Sequence, residues 1–84
     1  MNAIEWTKKA TKQLLKINKP DQKTIFSSVQ GLKDFPDCGN VKSLTNHEYS
    51  YRLRIGRYRV FFEFASQIKI IRIEEVKKRD ERTY

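Results

Sequence analysis

Cysteine, proline, glycine and long apolar runs are all scarce in this sequence of 84 residues. The single cysteine, Cys38, excludes an intrachain disulfide and a zinc site built from cysteines. No apolar run is long enough to form a transmembrane helix, and the first residues lack the apolar segment of a secretory signal peptide. We therefore expect a cytoplasmic protein that does not interact with a membrane.

Negative charge is also scarce: the sequence has 18 lysines and arginines but only 10 aspartates and glutamates, which gives a net charge of +8. A chain of this length can bury only one modest core, so we expect a single domain over residues 1–84. Such a charge excess on a small body favours polyanionic partners, either nucleic acid or an acidic protein that covers the same surface. A purely solubilising role for the lysines is the simpler alternative.

Two segments in the first half of the chain have the apolar spacing of amphipathic helices. The repeating residues are Ala10, Leu14 and Ile17 in the first segment and Ile25, Val29 and Leu32 in the second. Thr7 is a candidate N-cap for the first helix. Pro20 suits the first position of the second helix. The sequence therefore predicts a helical hairpin whose apolar faces need a sheet to cover them.

The first predicted helix also carries a stripe of lysines at i, i+4 and i+8, namely Lys8, Lys12 and Lys16. Like charges at this spacing weaken an isolated helix slightly. We consider the stripe a candidate contact for RNA, with an ordinary solvated helix face as the alternative.

The second half of the chain alternates with a period of two, which is typical of half-buried strands. Gly56 lies between two alternating runs and predicts the turn of an antiparallel hairpin, and "QIKIIRIEEV" predicts a further strand. With "AIEW" as a first strand, the order is β-α-α-β-β-β. We predict an α+β fold in which the two-helix hairpin packs on one face of a mostly antiparallel four-stranded sheet, with arginines on the opposite face.

Four arginines lie close together in the hairpin: Arg52, Arg54, Arg57 and Arg59. A guanidinium group stays charged and presents a planar fork of donors that matches a phosphate. When a ribose 2′-hydroxyl attacks the adjacent phosphorus, negative charge develops on the non-bridging oxygens, where such donors would stabilise it. The alternative is an ordinary exposed sheet face on which some of these arginines pair with Glu63, Glu74 or Glu75.

Two long segments resemble the RelE/ParE family of bacterial toxin–antitoxin toxins, namely "VKSLTNHEYSYRLRIGRYRVFFEF" and "IRIEEVKKRDERTY". The family pattern is a K-L segment, a strand of the form Y-x-L/I-R-x-G-x-Y-R-V/L-x-Y/F, and a later strand that ends in a basic residue and a tyrosine. The length and the element order fit as well. The family has two branches: RelE-like members cleave mRNA at the ribosomal A site, and ParE-like members poison DNA gyrase.

The RelE-like branch implies a site in a basic groove that needs neither a metal nor another cofactor. Position by position, Arg59 resembles the arginine that contacts the scissile phosphate, and Arg52 falls near the reacting nucleotide. Arg79 resembles a second phosphate-stabilising arginine. Tyr84 resembles the tyrosine that stacks on the base or orients the nucleophile. Supporting contacts to RNA are implied for Lys42 and Arg54.

The favoured interpretation is thus a type II toxin that acts as a ribosome-dependent mRNA endoribonuclease and so inhibits translation. The resemblance implies a cognate acidic antitoxin, with mRNA and the ribosome as targets, and we expect the toxin alone to be a monomer. The alternative is a ParE-like gyrase inhibitor without nuclease activity. His47, the only histidine, is a candidate acid or base, although a role as an ordinary surface loop residue is the simpler interpretation.

Overall fold

The computed structural model describes residues 1–79, which form two helices on one face of a mixed five-stranded sheet. The elements are β1 (Ala3–Trp6), α1 (Lys8–Leu15), α2 (Lys19–Gln30), a 3-10 turn (Gly31–Asp34), β2 (Val41–Ser43), β3 (Tyr51–Ile55), β4 (Tyr58–Ala65) and β5 (Ile70–Lys78). The strand order is β1-β5-β4-β3-β2, with β1 parallel to β5 and the other pairs antiparallel. The predicted α+β class is confirmed.

The predicted number of strands was one too low, because β2 was missed. This strand has only three residues, Val41–Ser43, and it pairs with β3 at the edge of the sheet. Alternation over three residues is too short to be distinguished from a loop. The added strand extends the sheet on the side of the arginine-rich hairpin.

Local side-chain caps explain where both helices begin. The hydroxyl of Thr7 accepts a hydrogen bond from the backbone N–H of Ala10 at 3.1 Å, which confirms the predicted N-cap. The side chain of Asn18 accepts from the N–H of Asp21 at 3.0 Å, so α2 begins at Lys19, one residue before the proline. A proline is tolerated in the first turn because its missing donor has no helical partner there.

The core lies between the helices and one face of the sheet. Its fully buried side chains are Ala10, Ile25, Val29, Val60, Phe62, Ile71 and Ile73, each with none of its surface exposed. All the residues of the predicted helical repeats are buried or packed against this core, whereas the neighbouring Leu15 remains 65% exposed. Helical periodicity therefore identified the core-facing sides of both helices.

A β-bulge in β5 changes which side chains face the core. Phe62 pairs with Ile73 and Phe61 pairs with Glu75, so Glu74 is an extra residue on this strand. After the bulge, Val76 faces the core and is 5% exposed, although strict alternation from Ile73 would turn it to the other face. The bulge thereby places Glu75 and Lys77 on the face opposite the helices.

The edge of β5 beyond β1 is covered by α1. The backbone N–H of Thr7 donates to the carbonyl of Ile73 at 3.1 Å, and the side-chain oxygen of Gln13 accepts from the N–H of Val76 at 2.7 Å. These bonds satisfy backbone groups that would otherwise form an exposed strand edge. β5 is thus an interior strand, with β1 and α1 along one edge and β4 along the other.

Candidate functional site

The sheet face that points away from the helices, called the open face below, carries the arginines in a definite register. Arg54 of β3 lies directly opposite Arg59 of β4, and Arg59 lies directly opposite Lys77 of β5. We call these three residues the basic row. Side chains opposite one another on neighbouring strands have Cβ atoms roughly 4.5–5.5 Å apart. Three positive charges are therefore held side by side across three strands.

Among the residues that the structure describes, no acidic side chain neutralises the charges of the basic row. None of its three side chains forms an ion pair or a side-chain hydrogen bond with another residue of the range 1–79. Like charges directly opposite each other destabilise a sheet. An anion bound across the row would remove this repulsion, and arginine forks suit the oxygens of a phosphate in particular.

The next cross-strand row, called the aromatic row below, joins Lys42, Arg52, Phe61 and Glu75. Phe61 is only 7% exposed, and among residues 1–79 it is the one buried apolar side chain that does not belong to the core cluster. The Nε atom of Arg52 is also buried, and no acceptor within the described residues reaches it. This row combines cations with a covered aromatic ring.

The cover over Phe61 is the loop between β2 and β3, residues 44–50. The ring of His47 stacks on Phe61 with centroids 5.1 Å apart and planes 15° apart, and the ring of Tyr49 lies 5.6 Å from Phe61. The Nδ1 atom of His47 accepts the backbone N–H of Tyr49 at 3.0 Å. The only histidine is thus an exposed side chain that is nonetheless fixed in place.

An ion pair joins the aromatic row to α1. Lys9 Nζ lies 3.4 Å from the carboxylate of Glu75, and this hydrogen bond raises the pKa of Lys9. Burial raises the pKa of Tyr49, and the Glu75 carboxylate beside it acts in the same direction. Tyr49 is therefore a neutral phenol that helps to hold the loop against the strands.

A third row, called the mixed row below, is compensated in charge. Glu5 of β1 is opposite Arg72 of β5, and Arg72 is opposite Glu63 of β4. Arg72 Nε and Glu5 Oε1 are 3.9 Å apart, while a Glu63 oxygen accepts the backbone N–H of Ser50 at 3.0 Å. Positive and negative charges alternate along this row, as in ordinary exposed sheets.

The structure brings together most of the site residues predicted on the hairpin. Arg52, Arg54 and Arg59 share the open face, with Lys42 at the β2 end of the aromatic row. Arg79 directly follows β5, and its backbone N–H donates to the carbonyl of Arg57 at 2.6 Å, which places it at the turn end of the hairpin. Tyr84 lies outside the described residues.

Other predicted residues lie apart from the three rows. Lys8 and Lys12 are exposed on α1, which packs along the edge of β5, and the exposed Lys16 directly follows this helix. Cys38 is half-buried, and burial raises the pKa of its thiol, which disfavours the reactive thiolate. Lys77 was not predicted as a site residue. The sequence did contain a signal for it, because Ile73 and Val76 are three residues apart, which indicates that the alternation of apolar and polar residues shifts between them.

Residues 1–79 contain no group of three histidine, cysteine, aspartate or glutamate side chains that could hold a metal ion. No helix in the same range is both long enough and apolar enough to cross a membrane.

Solved structures of other proteins share this fold. The RelBE2 toxin–antitoxin complex of Mycobacterium tuberculosis matches with a TM-score of 0.79 at 19% identity, over 93% of this chain and 98% of that one. The RelE–RelB complex of Pyrococcus horikoshii matches at 0.78 and 24% identity, over 95% and 97%. The isolated RelE toxin of E. coli matches at 0.81 and 12% identity, over 99% and 89%.

The sequence comparisons assign the family. A search among curated proteins finds no significant match. The family model of the ParE toxin of type II toxin–antitoxin systems, parDE, matches residues 4–83, which is nearly the whole chain. Together with the RelE-like arrangement of its helices and strands, this match shows that the chain belongs to the ParE toxin family of type II toxin–antitoxin systems, within the RelE/ParE superfamily.

Proposed function

We propose that this toxin is a ribosome-dependent mRNA endoribonuclease of the RelE-like type. The observation that carries the proposal is the basic row, in which three cations stand side by side with no acidic partner among residues 1–79. An RNA backbone supplies negative charge with the geometry that arginine forks recognise. A surface that only needed to be soluble would gain nothing from adjacent like charges.

The proposed reaction is an internal transfer at phosphorus. The ribose 2′-hydroxyl loses its proton and attacks the adjacent phosphorus, so that a P–O2′ bond forms. The P–O5′ bond breaks, the leaving 5′-oxygen takes up a proton, and the products are a 2′,3′-cyclic phosphate and a 5′-hydroxyl end. Negative charge grows on the non-bridging oxygens during this step. Hydrogen-bond donors fixed at that position stabilise the transition state by about 3–4 kcal/mol each, by analogy with oxyanion holes.

The proposed roles follow the positions on the open face. Arg59 is the central cation of the basic row and is assigned to the scissile phosphate, while Arg54 and Lys77 flank it. Arg52, diagonal to Arg59, is assigned to the reacting nucleotide, and Lys42 to a neighbouring RNA contact. The same proposal assigns Arg79 to a second contact with the phosphate. It assigns Tyr84 to stacking on the base or to orienting the nucleophile. Lys8, Lys12 and Lys16 are assigned to contacts with ribosomal RNA.

The test is cleavage of mRNA on programmed ribosomes. Arg59→Ala should reduce the cleavage rate about 10²- to 10³-fold, as the loss of one transition-state donor does elsewhere. Arg72→Ala is the matched control, because it removes one arginine from the compensated mixed row of the same face. Circular dichroism checks that both variants are folded. Equal cleavage by Arg59→Ala and the wild type would remove the proposed site.

A second candidate function, inhibition of DNA gyrase, is favoured by the description of the matching family model as a ParE toxin. In that case the basic row would contact the gyrase protein, and no RNA would be cut. Purified toxin added to a gyrase supercoiling reaction separates the two candidates. Inhibited supercoiling with intact mRNA on programmed ribosomes would support this candidate and reject the nuclease.

Either candidate implies a cognate antitoxin. We propose that it carries an acidic segment that neutralises the basic row and orders as it binds. Such an antitoxin should bind Arg59→Ala more weakly than Arg72→Ala at low salt, as measured by calorimetry. Equal affinities would place the antitoxin elsewhere on the toxin.

A further inference from the structure

The geometry points to His47 as a stacking platform for one RNA base, next to the phosphate that the basic row holds. This inference rests on the proposed nuclease function and adds a base-contacting residue to it. The feature that prompts it is an aromatic cluster on the open face of the sheet, where the helices cannot cover it. His47 and Tyr49 lie on Phe61 there, outside the core cluster.

Phe61 supports one flat face of the His47 ring. Its plane is within 15° of the Phe61 plane at a centroid separation of 5.1 Å, which is an offset-stacked arrangement. The Tyr49 ring lies 6.0 Å from the His47 ring, centroid to centroid, at an angle of 44°. Among residues 1–79, no ring other than those of Phe61 and Tyr49 contacts His47. His47 is exposed, and we infer that the flat face of the imidazole turned away from Phe61 is available to a ligand.

Hydrogen bonds hold the platform in this orientation. Nδ1 of His47 accepts the N–H of Tyr49 at 3.0 Å, so in the neutral ring the proton is on Nε2. The Leu44 N–H donates to the Ser50 carbonyl at 2.9 Å and closes the loop. The Ser50 N–H donates to a carboxylate oxygen of Glu63 at 3.0 Å and ties the loop to β4. A ring that is already ordered loses little conformational entropy when a base stacks on it.

The platform lies within one nucleotide of the basic row. Phe61 and Arg59 are two residues apart on β4 and point to the same face, which corresponds to about 6.8 Å along the strand. Arg52 lies directly opposite Phe61 and extends the positive charge beneath the platform. A nucleotide whose phosphate contacts Arg59 can therefore place its base over His47. Single-stranded nucleic acid is commonly held in this way, with cations along the backbone and aromatic rings under the bases.

The experiment measures single-turnover cleavage on ribosomes programmed with one mRNA. His47→Ala should cleave at least about fivefold more slowly than the wild type, because one base loses its stacking partner. His47→Phe keeps a flat ring and should cleave within about twofold of the wild type. Thr45→Ala is the matched control, since Thr45 is exposed in the same loop. Thermal unfolding of each variant reports any loss of folded protein.

A second arm identifies stacking as the cause. An abasic nucleotide is moved one position at a time through the A-site codon and its neighbours. At one position, the wild type and His47→Ala should cleave equally slowly, because the base that His47 contacts is already missing. A change in loop structure alone would slow His47→Ala on every abasic mRNA by the same factor.

The outcomes separate this inference from the function on which it rests. If the wild type cleaves mRNA but His47→Ala is equally fast, or if His47→Phe is as slow as His47→Ala, the stacking platform is rejected and the nuclease remains. If no abasic position removes the difference between the wild type and His47→Ala, the platform is likewise rejected. Absence of any cleavage by the wild type would reject both.

Discussion

The basic row and the mixed row lie on the same face of one sheet, yet their charges are arranged in opposite ways. In the mixed row, Arg72 lies between Glu5 and Glu63 and is within 3.9 Å of a Glu5 oxygen. In the basic row, Arg54, Arg59 and Lys77 are neighbours with no acidic residue between them. The two rows are separated by the aromatic row, in which Phe61 is covered by His47 and Tyr49.

We propose that this difference separates cations that serve the fold from cations that serve a ligand. Alternating charges across strands contribute to sheet stability, whereas adjacent like charges oppose it. A row that is unfavourable in the isolated protein can be retained when a bound anion stabilises it. Charge arrangement across strands, rather than the total charge of +8, therefore singles out the candidate phosphate site.

A large effect is expected from inverting one charge in each row. Lys77→Glu should stabilise the fold by about 0.2–1 kcal/mol, because it places an acid opposite Arg59. The same change should reduce mRNA cleavage at least about tenfold, since the acid competes with phosphate. Urea unfolding and cleavage on programmed ribosomes measure the two effects.

Arg72→Glu changes the total charge by the same amount but should have the opposite pattern. It puts three acids in a row and should destabilise the fold by a similar 0.2–1 kcal/mol, while cleavage by the folded protein is largely retained. Equal loss of cleavage in Arg72→Glu and Lys77→Glu would show that only net charge matters, and the distinction between the rows would fail.

A smaller effect is expected in the salt dependence of RNA binding. For a single-stranded RNA oligonucleotide, Arg59→Ala should reduce the slope of log K against log salt by about one phosphate contact, or ~0.7. Arg72→Ala should leave the slope of the wild type unchanged. Fluorescence anisotropy at several salt concentrations gives both slopes, and identical slopes in the two variants would contradict the assignment of phosphate to the basic row.

The smallest expected effect is on stability, at the side of the β3–β4 hairpin that faces the helices. The cations there have an acidic neighbour, Asp21. The Tyr58 hydroxyl donates to the Asp21 carboxylate at 2.8 Å, and this bond lowers the pKa of Asp21 and raises that of Tyr58. Lys78 and Arg57 lower the pKa of Asp21 further. A lowered pKa means that the folded state favours the charged carboxylate and loses this stabilisation when the carboxylate is protonated.

Tyr58→Phe should therefore be less stable than the wild type at neutral pH. The difference should be constant above the ordinary aspartate pKa of 3.8 and should shrink as the pH falls below it, through the lowered pKa of the folded state. Urea unfolding between pH 3 and pH 7 measures this, with Tyr51→Phe as the matched control, whose ring stacks on Phe62. A difference that persists unchanged at acid pH would show that the bond to Asp21 is not its source.

Most of the fold could be predicted because its signals are local and repeated. The helical spacing of Ile25, Val29 and Leu32 and the cap at Thr7 are properties of short segments, and both were confirmed. The strand Val41–Ser43 was missed because three residues are too few to show a period. Its pairing depends on β3, which lies several residues further along the chain.

The common face of the hairpin arginines could be predicted because the alternation continues there without interruption. Arg52, Arg54 and Arg59 lie on a regular hairpin, so their common face followed from the period of two. Lys77 could not be placed in this way, because the bulge at Glu74 shifts the alternation. The cover on Phe61 was not predicted, since a loop that folds back over a sheet has no periodic signal.

The amino-acid order by itself determined the α+β class, the N-cap of the first helix, the hairpin at Gly56 and the gathering of three of its four arginines on one face. Each of these depends on side-chain spacing within a single element, which the backbone geometry of helices and strands fixes. Only the tertiary structure decided that Lys77 completes the basic row and that His47 lies on Phe61. Both depend on the register between strands and on contacts between distant segments, because the packing of the whole sheet selects them.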